Sequence, residues 1–165
     1  MDIIQIVGYK NSGKTALANE FISYLRNKGF LVGSLKHHGH GGTPAGIYNK
    51  DSESHRRNGA VVSGVKGEGM LQITKEKDWQ LEQMIDLFQS FRLDILIIEG
   101  FKKAHYPKIV MIRNTEDLSL VEQLTNIQAI VSRVPIKGRS WGFPVFSAEQ
   151  LAFVVKWYMK EMKKT

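Results

Sequence analysis

Residues 3–15 read Ile3-Ile4-Gln5-Ile6-Val7-Gly8-Tyr9-Lys10-Asn11-Ser12-Gly13-Lys14-Thr15. This stretch decides the fold. A short run of β-branched residues leads into a loop of the form G-x-x-x-x-G-K-T, which is the phosphate-binding P-loop pattern. After Thr15, apolar side chains recur at the spacing of an amphipathic helix. A strand before the loop and a helix after it form the context that this motif requires.

The residue types of this loop suit the binding of a polyphosphate. Gly8 and Gly13 lack a Cβ, so the backbone can bend there and approach a ligand closely. The loop N–H groups and the start of the helix face the phosphates, Lys14 adds a positive charge, and the Thr15 hydroxyl can bind Mg²⁺. The predicted nucleotide-binding residues of this segment are Gly8, Asn11, Ser12, Gly13, Lys14, Thr15 and Ala16.

The length and composition of the chain predict one globular domain over residues 1–165. Of its 165 residues, 42% are hydrophobic and 24% are charged, as is usual for a globular protein. The chain has no cysteine, which excludes disulfides, thiolate zinc sites and thiol catalysis. We find neither a membrane-spanning apolar run nor a secretory signal pattern. We therefore expect a cytoplasmic protein without a membrane partner.

The formal net charge of +7 favours anionic ligands or acidic partners. Part of this excess lies near the C-terminus, where lysines stabilise the end of a helix without any ligand. The sequence contains no RNA-recognition signature, no zinc finger and no convincing helix-turn-helix pattern. We therefore expect no nucleic-acid partner.

Segments typical of strands alternate with segments typical of helices along the chain. This alternation predicts an α/β protein, a three-layer P-loop NTPase fold with a mostly parallel β-sheet. The predicted helices cover residues 14–28, 78–91 and 117–124, with a last helix capped by Ser147 and Gln150, and the predicted strands cover residues 3–7, 30–35, 60–66, 70–74, 94–100, 108–113, 127–132 and 145–146.

Glu99 is the predicted acidic partner of the metal. It ends a continuously apolar strand that begins at Asp94, so the two carboxylates lie roughly 16 Å apart on opposite edges of the sheet. Ligands of open α/β sheets bind at the carboxyl ends of the strands, where the P-loop also lies. Glu99, rather than Asp94, is therefore expected to join Thr15 at a Mg²⁺ ion. Lys14 and Glu99 are the predicted catalytic residues.

A polar lid is predicted over residues 37–58, where a glycine-rich half precedes a charged half. Lys36, His37 and His40 follow the second strand and are expected on the same sheet edge as the P-loop. Their side chains suit either a metal or an oxyanion. An ordinary polar loop at the solvent edge is the alternative, and we prefer it to a metal site.

The charged half of the lid contains three further candidates. If this half is helical, Asp51, His55 and Arg56 lie near one face. Asp51 could then reach the metal through water, and Arg56 could bind phosphate with two parallel hydrogen bonds. A solvated helix face is the alternative.

Residues 114–117 read Asn-Thr-Glu-Asp and follow the strand after Glu99. They partly match the Asn-Lys-x-Asp pattern with which guanine-specific P-loop proteins bind the guanine edge. A helix N-cap formed by Asn114 or Thr115 explains the same residues, and we prefer that interpretation.

Taken together, these stretches resemble the molybdopterin-guanine dinucleotide biosynthesis protein B family (MobB). The P-loop alone is shared by many NTPases, whereas the combination is far more specific. The matching pieces are residues 8–15, Lys36-His37 with His40, Lys50-Asp51-Ser52 followed by His55-Arg56, Gly59-Ala60 and Glu99-Gly100-Phe101-Lys102.

The resemblance implies a GTP-binding adapter protein of molybdenum cofactor biosynthesis that hydrolyses GTP slowly. GTP and Mg²⁺ would be its cofactors, and molybdopterin or the enzyme that attaches GMP to it would be its partner. The resemblance also implies a homodimer. From the residues alone, a P-loop small-molecule kinase or an ATP-dependent ligase remains the alternative.

Overall fold

A computed structural model describes residues 1–38, 50–136, 138 and 140–162, apart from the side chains of residues 50–53 and 162. Its backbone contacts divide the chain into two compact units. The first unit comprises Met1–His37 and Ile85–Thr165, and the second comprises His38–Met84. The prediction of a single nucleotide-binding domain over residues 1–165 stays a prediction.

Eight strands and five α-helices make up the described fold. The strands are β1 Asp2–Gly8, β2 Val32–Lys36, β3 Ser63–Gly67, β4 Met70–Thr74, β5 Ile95–Glu99, β6 Lys108–Ile112, β7 Ile127–Ser132 and β8 Val145–Ser147. The helices are α1 Lys14–Asn27, α2 Lys50–Arg57, α3 Leu81–Gln89, α4 Ser119–Gln123 and α5 Leu151–Met162, with a 3₁₀ helix at Thr115–Leu118 before α4.

The first unit is built on a six-stranded sheet in the order β2-β5-β1-β6-β7-β8. All five neighbouring pairs are parallel, so the carboxyl ends of the six strands share one edge. All five residues of β5 are buried, as expected for a central strand that is covered on both faces. Every helix in the described part of the chain is too short or too polar to cross a lipid bilayer.

Helices cover both faces of this sheet. On one face, Phe21 of α1 and Tyr158 of α5 pack against Ile4 and Ile6 of β1. On the other face, Leu120 and Val121 of α4 pack against Val7, Val110 and Ile130. The first unit is thus a three-layer α/β structure with a parallel sheet, and the predicted fold class is confirmed.

Local capping sets the end of α1 and the start of α5 close to the predicted positions, whereas α3 is shorter than the predicted range of residues 78–91. Helix α1 stops one residue earlier than predicted, and Gly29 follows it with φ 87°. Before α5, Gln150 Oε1 accepts a hydrogen bond from Ser147 N at 3.2 Å, and Ser147 Oγ accepts one from Glu149 N at 3.3 Å. These reciprocal bonds confirm the predicted cap.

Strand pairing, rather than apolar composition, sets the limits of β2. The predicted strand covered residues 30–35, but Leu31 lies before the parallel ladder and pairs with Asp94 instead. Leu31 N donates to Asp94 Oδ2 at 2.7 Å, and Asp94 N donates to Leu31 O at 2.9 Å. Asp94 therefore has a structural role at the amino edge of the sheet. The ladder then runs from Val32 to Lys36, which places Lys36 beside Glu99.

The second unit contains α2 and a two-stranded antiparallel sheet of β3 and β4. The predicted strand over residues 60–66 begins too early, because Ala60 N donates to His55 O and completes the end of α2. The turn between β3 and β4 lies where the Gly67-Glu68-Gly69 sequence predicts it, with Gly69 at φ 68°.

Candidate functional site

The loop between β1 and α1 needs its two glycines. A Cβ on Gly8 would lie 2.6 Å from Ser12 Oγ and 2.7 Å from Met111 O, where no side chain fits. Gly13 has φ 96° and begins α1 in the left-handed region, and Asn11 also has a positive φ of 61°. The loop therefore turns its backbone tightly around the start of the helix, as a phosphate-binding loop must.

Lys14 points back onto this loop. Its Nζ donates to Tyr9 O at 2.7 Å, and burial of the ammonium group lowers the pKa of Lys14. Ser12 is fully buried, and its Oγ finds no hydrogen-bond partner among the described residues. The loop thus holds both a desolvated positive charge and an unused polar group, as expected of a site that binds an anion.

Thr15, Glu99 and Lys36 meet at the carboxyl edge of the sheet. Thr15 Oγ1 donates to Glu99 Oε2 at 2.9 Å. Lys36 Nζ donates to Thr15 Oγ1 at 2.9 Å and lies 3.1 Å from Glu99 Oε1. Glu99 is only 8% exposed, so this carboxylate is held in place. The structure brings together the two residues that the sequence assigned to the metal.

The loop that follows Glu99 is fastened to the sheet edge. Gln5 Nε2 donates to Gly100 O at 2.7 Å and to Phe101 O at 2.6 Å. Gly100 has φ 99°, and a Cβ there would lie 2.8 Å from the Cβ of His37. The exposed His37 ring lies 4.7 Å from the Phe101 ring, centroid to centroid. His37 thus belongs to the same edge as the P-loop, although its ring contacts Phe101 rather than Glu99.

Three basic residues near the P-loop were not identified from the sequence. Lys102 Nζ lies 4.0 Å from the centre of the Tyr9 ring, and the Arg113 guanidinium lies 5.5 Å from it. Arg113 Nη1 also donates to Lys10 O at 3.0 Å. A Cβ on Gly13 would lie 3.3 Å from Arg133 Nη2. Lys102 belongs to a quoted motif, but only the structure shows that these three side chains reach the P-loop.

Asp117 is a structural residue. It is 2% exposed, and its carboxylate accepts hydrogen bonds from Arg113 N, Nε and Nη2 at 3.0, 2.8 and 2.7 Å. Asn114 Oδ1 accepts a bond from Asp117 N at 3.2 Å, which confirms the N-cap interpretation. Because Arg113 occupies both carboxylate oxygens, Asp117 is not free to read a guanine edge.

Replacement Asp117→Asn is expected to lower the stability of the fold. The hydrogen bonds from Arg113 hold the pKa of Asp117 below its ordinary value of 3.8. The resulting stabilisation is present above pH 3.8 and disappears as the pH falls through the lower folded-state pKa. In urea titrations, the stability difference between wild type and variant should therefore shrink below that pH. Glu116→Gln, in an exposed neighbour, is the control.

A base-selectivity measurement separates the two interpretations of Asp117. If this carboxylate bound guanine, Asp117→Asn would favour xanthine nucleotides, because xanthine accepts a hydrogen bond at C2 where guanine donates one. We expect the ratio of XTP to GTP affinity to stay unchanged. A shift toward XTP would contradict the structural assignment.

The remaining predicted residues belong to the second unit or lie outside the described residues. His55 is exposed near the end of α2, and Arg56 forms an ion pair with Glu76 of the same unit. His40 and the side chain of Asp51 lie outside the described residues. In the described part of the chain, no group of three His, Asp or Glu side chains is placed to hold a metal. The ligand-binding roles of His40, Asp51, His55 and Arg56 stay predictions.

The fold and the site together define an α/β protein in which the loop of the form G-x-x-x-x-G-K-T lies at the carboxyl ends of a parallel sheet. The family model described as molybdopterin guanine dinucleotide synthesis protein B (MobB) matches residues 3–133. Because this match covers well over half of the chain, the chain belongs to the MobB family, as the sequence motifs predicted.

Relatives and solved structures agree with this assignment. A probable molybdopterin-guanine dinucleotide biosynthesis adapter protein of Bacillus subtilis is 40% identical over 148 residues, which are 89% of this chain and 86% of the relative. The corresponding adapter protein of Escherichia coli is 27% identical, with 96% and 94% covered. The crystal structure of Bacillus subtilis MobB aligns with a TM-score of 0.84 at 37% identity, covering 97% of both chains. A MobB homologue from Bacillus stearothermophilus gives a TM-score of 0.81 at 32% identity, covering 100% of both chains.

Proposed function

We propose that this chain is a GTP-binding adapter protein in the biosynthesis of molybdopterin guanine dinucleotide, with slow Mg²⁺-dependent GTP hydrolysis. The observation that carries the nucleotide-binding part is the contact between Thr15 and Glu99 beside the loop that holds Lys14. The adapter role rests on the family and on the names of the relatives. A cytoplasmic location belongs to the same proposal.

The oxygens at this edge fit a Mg²⁺ ion. Mg²⁺ prefers hard oxygen ligands and usually binds through one or two protein groups together with nucleotide phosphates and water. Thr15 and Glu99 offer a hydroxyl and a carboxylate within 2.9 Å of each other. The Lys36 ammonium already bridges them, so positive charge is stabilised at this place. Direct Mg²⁺ binding would require Lys36 to move, and a nucleotide phosphate is its natural new partner.

The residues of this site would act by position and charge. The loop backbone and Lys14 would hold the phosphates, and Thr15 with Glu99 would hold the metal that neutralises them. Apart from Glu99, which would hold the metal, no residue of the described edge stands out as a base that would orient an attacking water. That arrangement supports slow turnover, in keeping with an adapter.

Replacement Glu99→Gln is expected to remove the Mg²⁺ dependence of GTP binding. The amide keeps the size of the side chain and loses the charge that attracts the cation. Calorimetric titrations with Mg²⁺ and with a chelator should show that Mg²⁺ increases the GTP affinity of wild type. In the variant, this increase should be smaller by about 10-fold or more. Glu68→Gln, in the exposed turn between β3 and β4, is the control. Full retention of the Mg²⁺ effect by Glu99→Gln would contradict the metal assignment.

The rival function is that of a small-molecule kinase or an ATP-dependent ligase on the same fold. The described site does not fix the base, because Asp117 is engaged with Arg113. Parallel titrations with Mg²⁺·GTP and Mg²⁺·ATP decide the matter. A clear preference for ATP would favour the rival over the proposed GTP-binding adapter.

The pathway itself is tested by capture of the partner. The full chain, immobilised with Mg²⁺·GTP, should retain the enzyme that attaches GMP to molybdopterin, or molybdopterin itself. The Lys14→Ala variant is the control for nucleotide-dependent retention. Single-turnover hydrolysis with and without the captured enzyme then separates a GTPase from an adapter whose nucleotide only stays bound. Failure of the purified enzyme to bind the chain in any nucleotide state would overturn the adapter proposal.

A homodimer is also part of the proposal. The sheet of β3 and β4 exposes Met70, Leu71 and Ile73, each by more than 60% of its surface. Exposed apolar side chains beside unpaired strand edges are typical of surfaces that bind another chain. Light scattering by the full chain should give the mass of two copies, and the mass of one copy at micromolar concentration would contradict the proposal.

A further inference from the structure

We propose that Lys102 senses the terminal phosphate of a bound nucleoside triphosphate. In the structure its ammonium lies over the Tyr9 ring, and with a triphosphate bound it would leave the ring for the terminal phosphate. The loop after β5 would thereby distinguish a triphosphate from a diphosphate. This inference rests on the proposed nucleotide-binding function and deepens it.

Lys102 and Lys14 both contact Tyr9 of the loop. Lys14 Nζ is bound to the Tyr9 carbonyl oxygen at 2.7 Å, whereas Lys102 Nζ lies 4.0 Å from the centre of the Tyr9 ring. Burial lowers the pKa of both lysines, and the charge of Lys102 lowers that of Lys14 further. An anion that binds Lys14 is therefore within reach of the flexible Lys102 side chain and relieves the repulsion between the two.

Lys102 is held only weakly where it lies. Among the described residues it has no ion-pair partner, and Asp117 is already bound by Arg113. A cation over an aromatic ring contributes less than a charged hydrogen bond to a phosphate oxygen. Exchange of the Tyr9 ring for a phosphate is therefore favourable for this side chain.

Arg113, the second cation near the Tyr9 ring, is held in place by its own hydrogen bonds. It lies 5.5 Å from the Tyr9 ring and is bound both to Asp117 and to the Lys10 carbonyl oxygen. Arg113 therefore keeps the P-loop in place whether or not Lys102 moves. Of the two cations on the ring, only Lys102 is free to respond to a ligand.

The backbone that carries Lys102 is anchored on its N-terminal side. Gln5 binds the carbonyl groups of Gly100 and Phe101, and Gly100 N donates to Ile6 O at 2.9 Å. Phe101 has a positive φ of 51°, which this anchoring must hold in place. Because the start of the loop is fixed, the response to a phosphate falls on the Lys102 side chain.

The test compares Lys102→Met with Lys103→Met, which removes an exposed lysine from the next position. Calorimetry on the full chain with Mg²⁺ measures the affinity for a non-hydrolysable GTP analogue and for GDP. We expect Lys102→Met to weaken binding of the analogue roughly 10-fold and to leave GDP binding within about twofold. Lys103→Met should change neither, and Lys102→Arg should restore the preference for the analogue.

A second measurement follows Tyr9 directly. In protein labelled with ¹³C on its tyrosine rings, the Tyr9 signal should shift when the GTP analogue replaces GDP, and this shift should be lost in Lys102→Met. The sensor role of Lys102 would be contradicted if Lys102→Met lost equal affinity for the analogue and for GDP. It would also be contradicted if the Tyr9 signal were the same with both nucleotides. If the wild-type chain binds neither nucleotide, the proposed function itself fails, and that result is distinct from the other two.

Discussion

Replacement Lys14→Ala is expected to abolish GTP binding. The Lys14 ammonium is bound inside the loop, 2.7 Å from Tyr9 O, and the phosphates would meet it there. Its removal takes away the one charge that follows the second glycine of the loop and leaves the backbone to hold a polyphosphate alone. Calorimetry with Mg²⁺·GTP should show a loss of affinity of about 100-fold or more.

Lys10→Ala is the matched control for this experiment. Lys10 lies in the same loop with an exposed side chain, and its carbonyl oxygen accepts a hydrogen bond from Arg113. Its removal should change affinity only slightly, because solvent and salt screen an exposed charge. Thermal unfolding of both variants should resemble that of wild type. Tight Mg²⁺·GTP binding by folded Lys14→Ala would overturn the assignment of the site.

The central part of the site was predictable from the sequence because it follows from strand direction. The P-loop ends β1 and Glu99 ends β5, and parallel strands place both ends on one edge. Asp94 was separated from Glu99 by the same reasoning, and its carboxylate is indeed bound at the opposite end of the strand by Leu31 N. A motif together with a strand direction is enough to bring Thr15 and Glu99 together.

The register of the strands was not predictable. Lys36 lies beside Glu99 because β2 pairs with β5 from Val32 onward, whereas the apolar run in the sequence begins at Phe30. A local pattern contains no information on which strand is the neighbour or where the pairing begins. The contact of Lys36 with Thr15 and Glu99 therefore had to come from the structure.

The basic residues around Tyr9 were missed for a different reason. Lys102 and Arg113 follow β5 and β6 at the same edge of the sheet as Tyr9, but the sequence does not show that their side chains turn toward the Tyr9 ring. Arg113 also changed the meaning of Asp117, since a partial guanine motif became an ion pair that supports the P-loop backbone. Long-range contacts of charged side chains leave no periodic trace in a sequence.

Lys108 holds the other end of the loop that carries Lys102. It begins β6, is fully buried, and donates to three carbonyl oxygens, those of Ala104, Tyr106 and Thr125, at 2.8, 3.0 and 2.7 Å. The sequence showed only a strand that begins with a lysine. The structure shows a cation that ties residues 104–106 to the segment before β7.

Replacement Lys108→Met is therefore expected to lower the free energy of unfolding by about 3 kcal/mol, since three carbonyl groups lose their donor while the side chain keeps its length. For a chain of this size, the melting temperature should fall by roughly 6–12 °C. Lys103→Met, which removes an exposed lysine from the same loop, should leave the melting temperature nearly unchanged. Equal melting temperatures for Lys108→Met and wild type would contradict this role, because water would then replace the ammonium without loss of stability.

Because Gln5 and Lys108 fasten the loop on either side of Lys102, the Lys108 variant should also weaken the preference for triphosphate over diphosphate, even though Lys108 lies at the amino end of its strand.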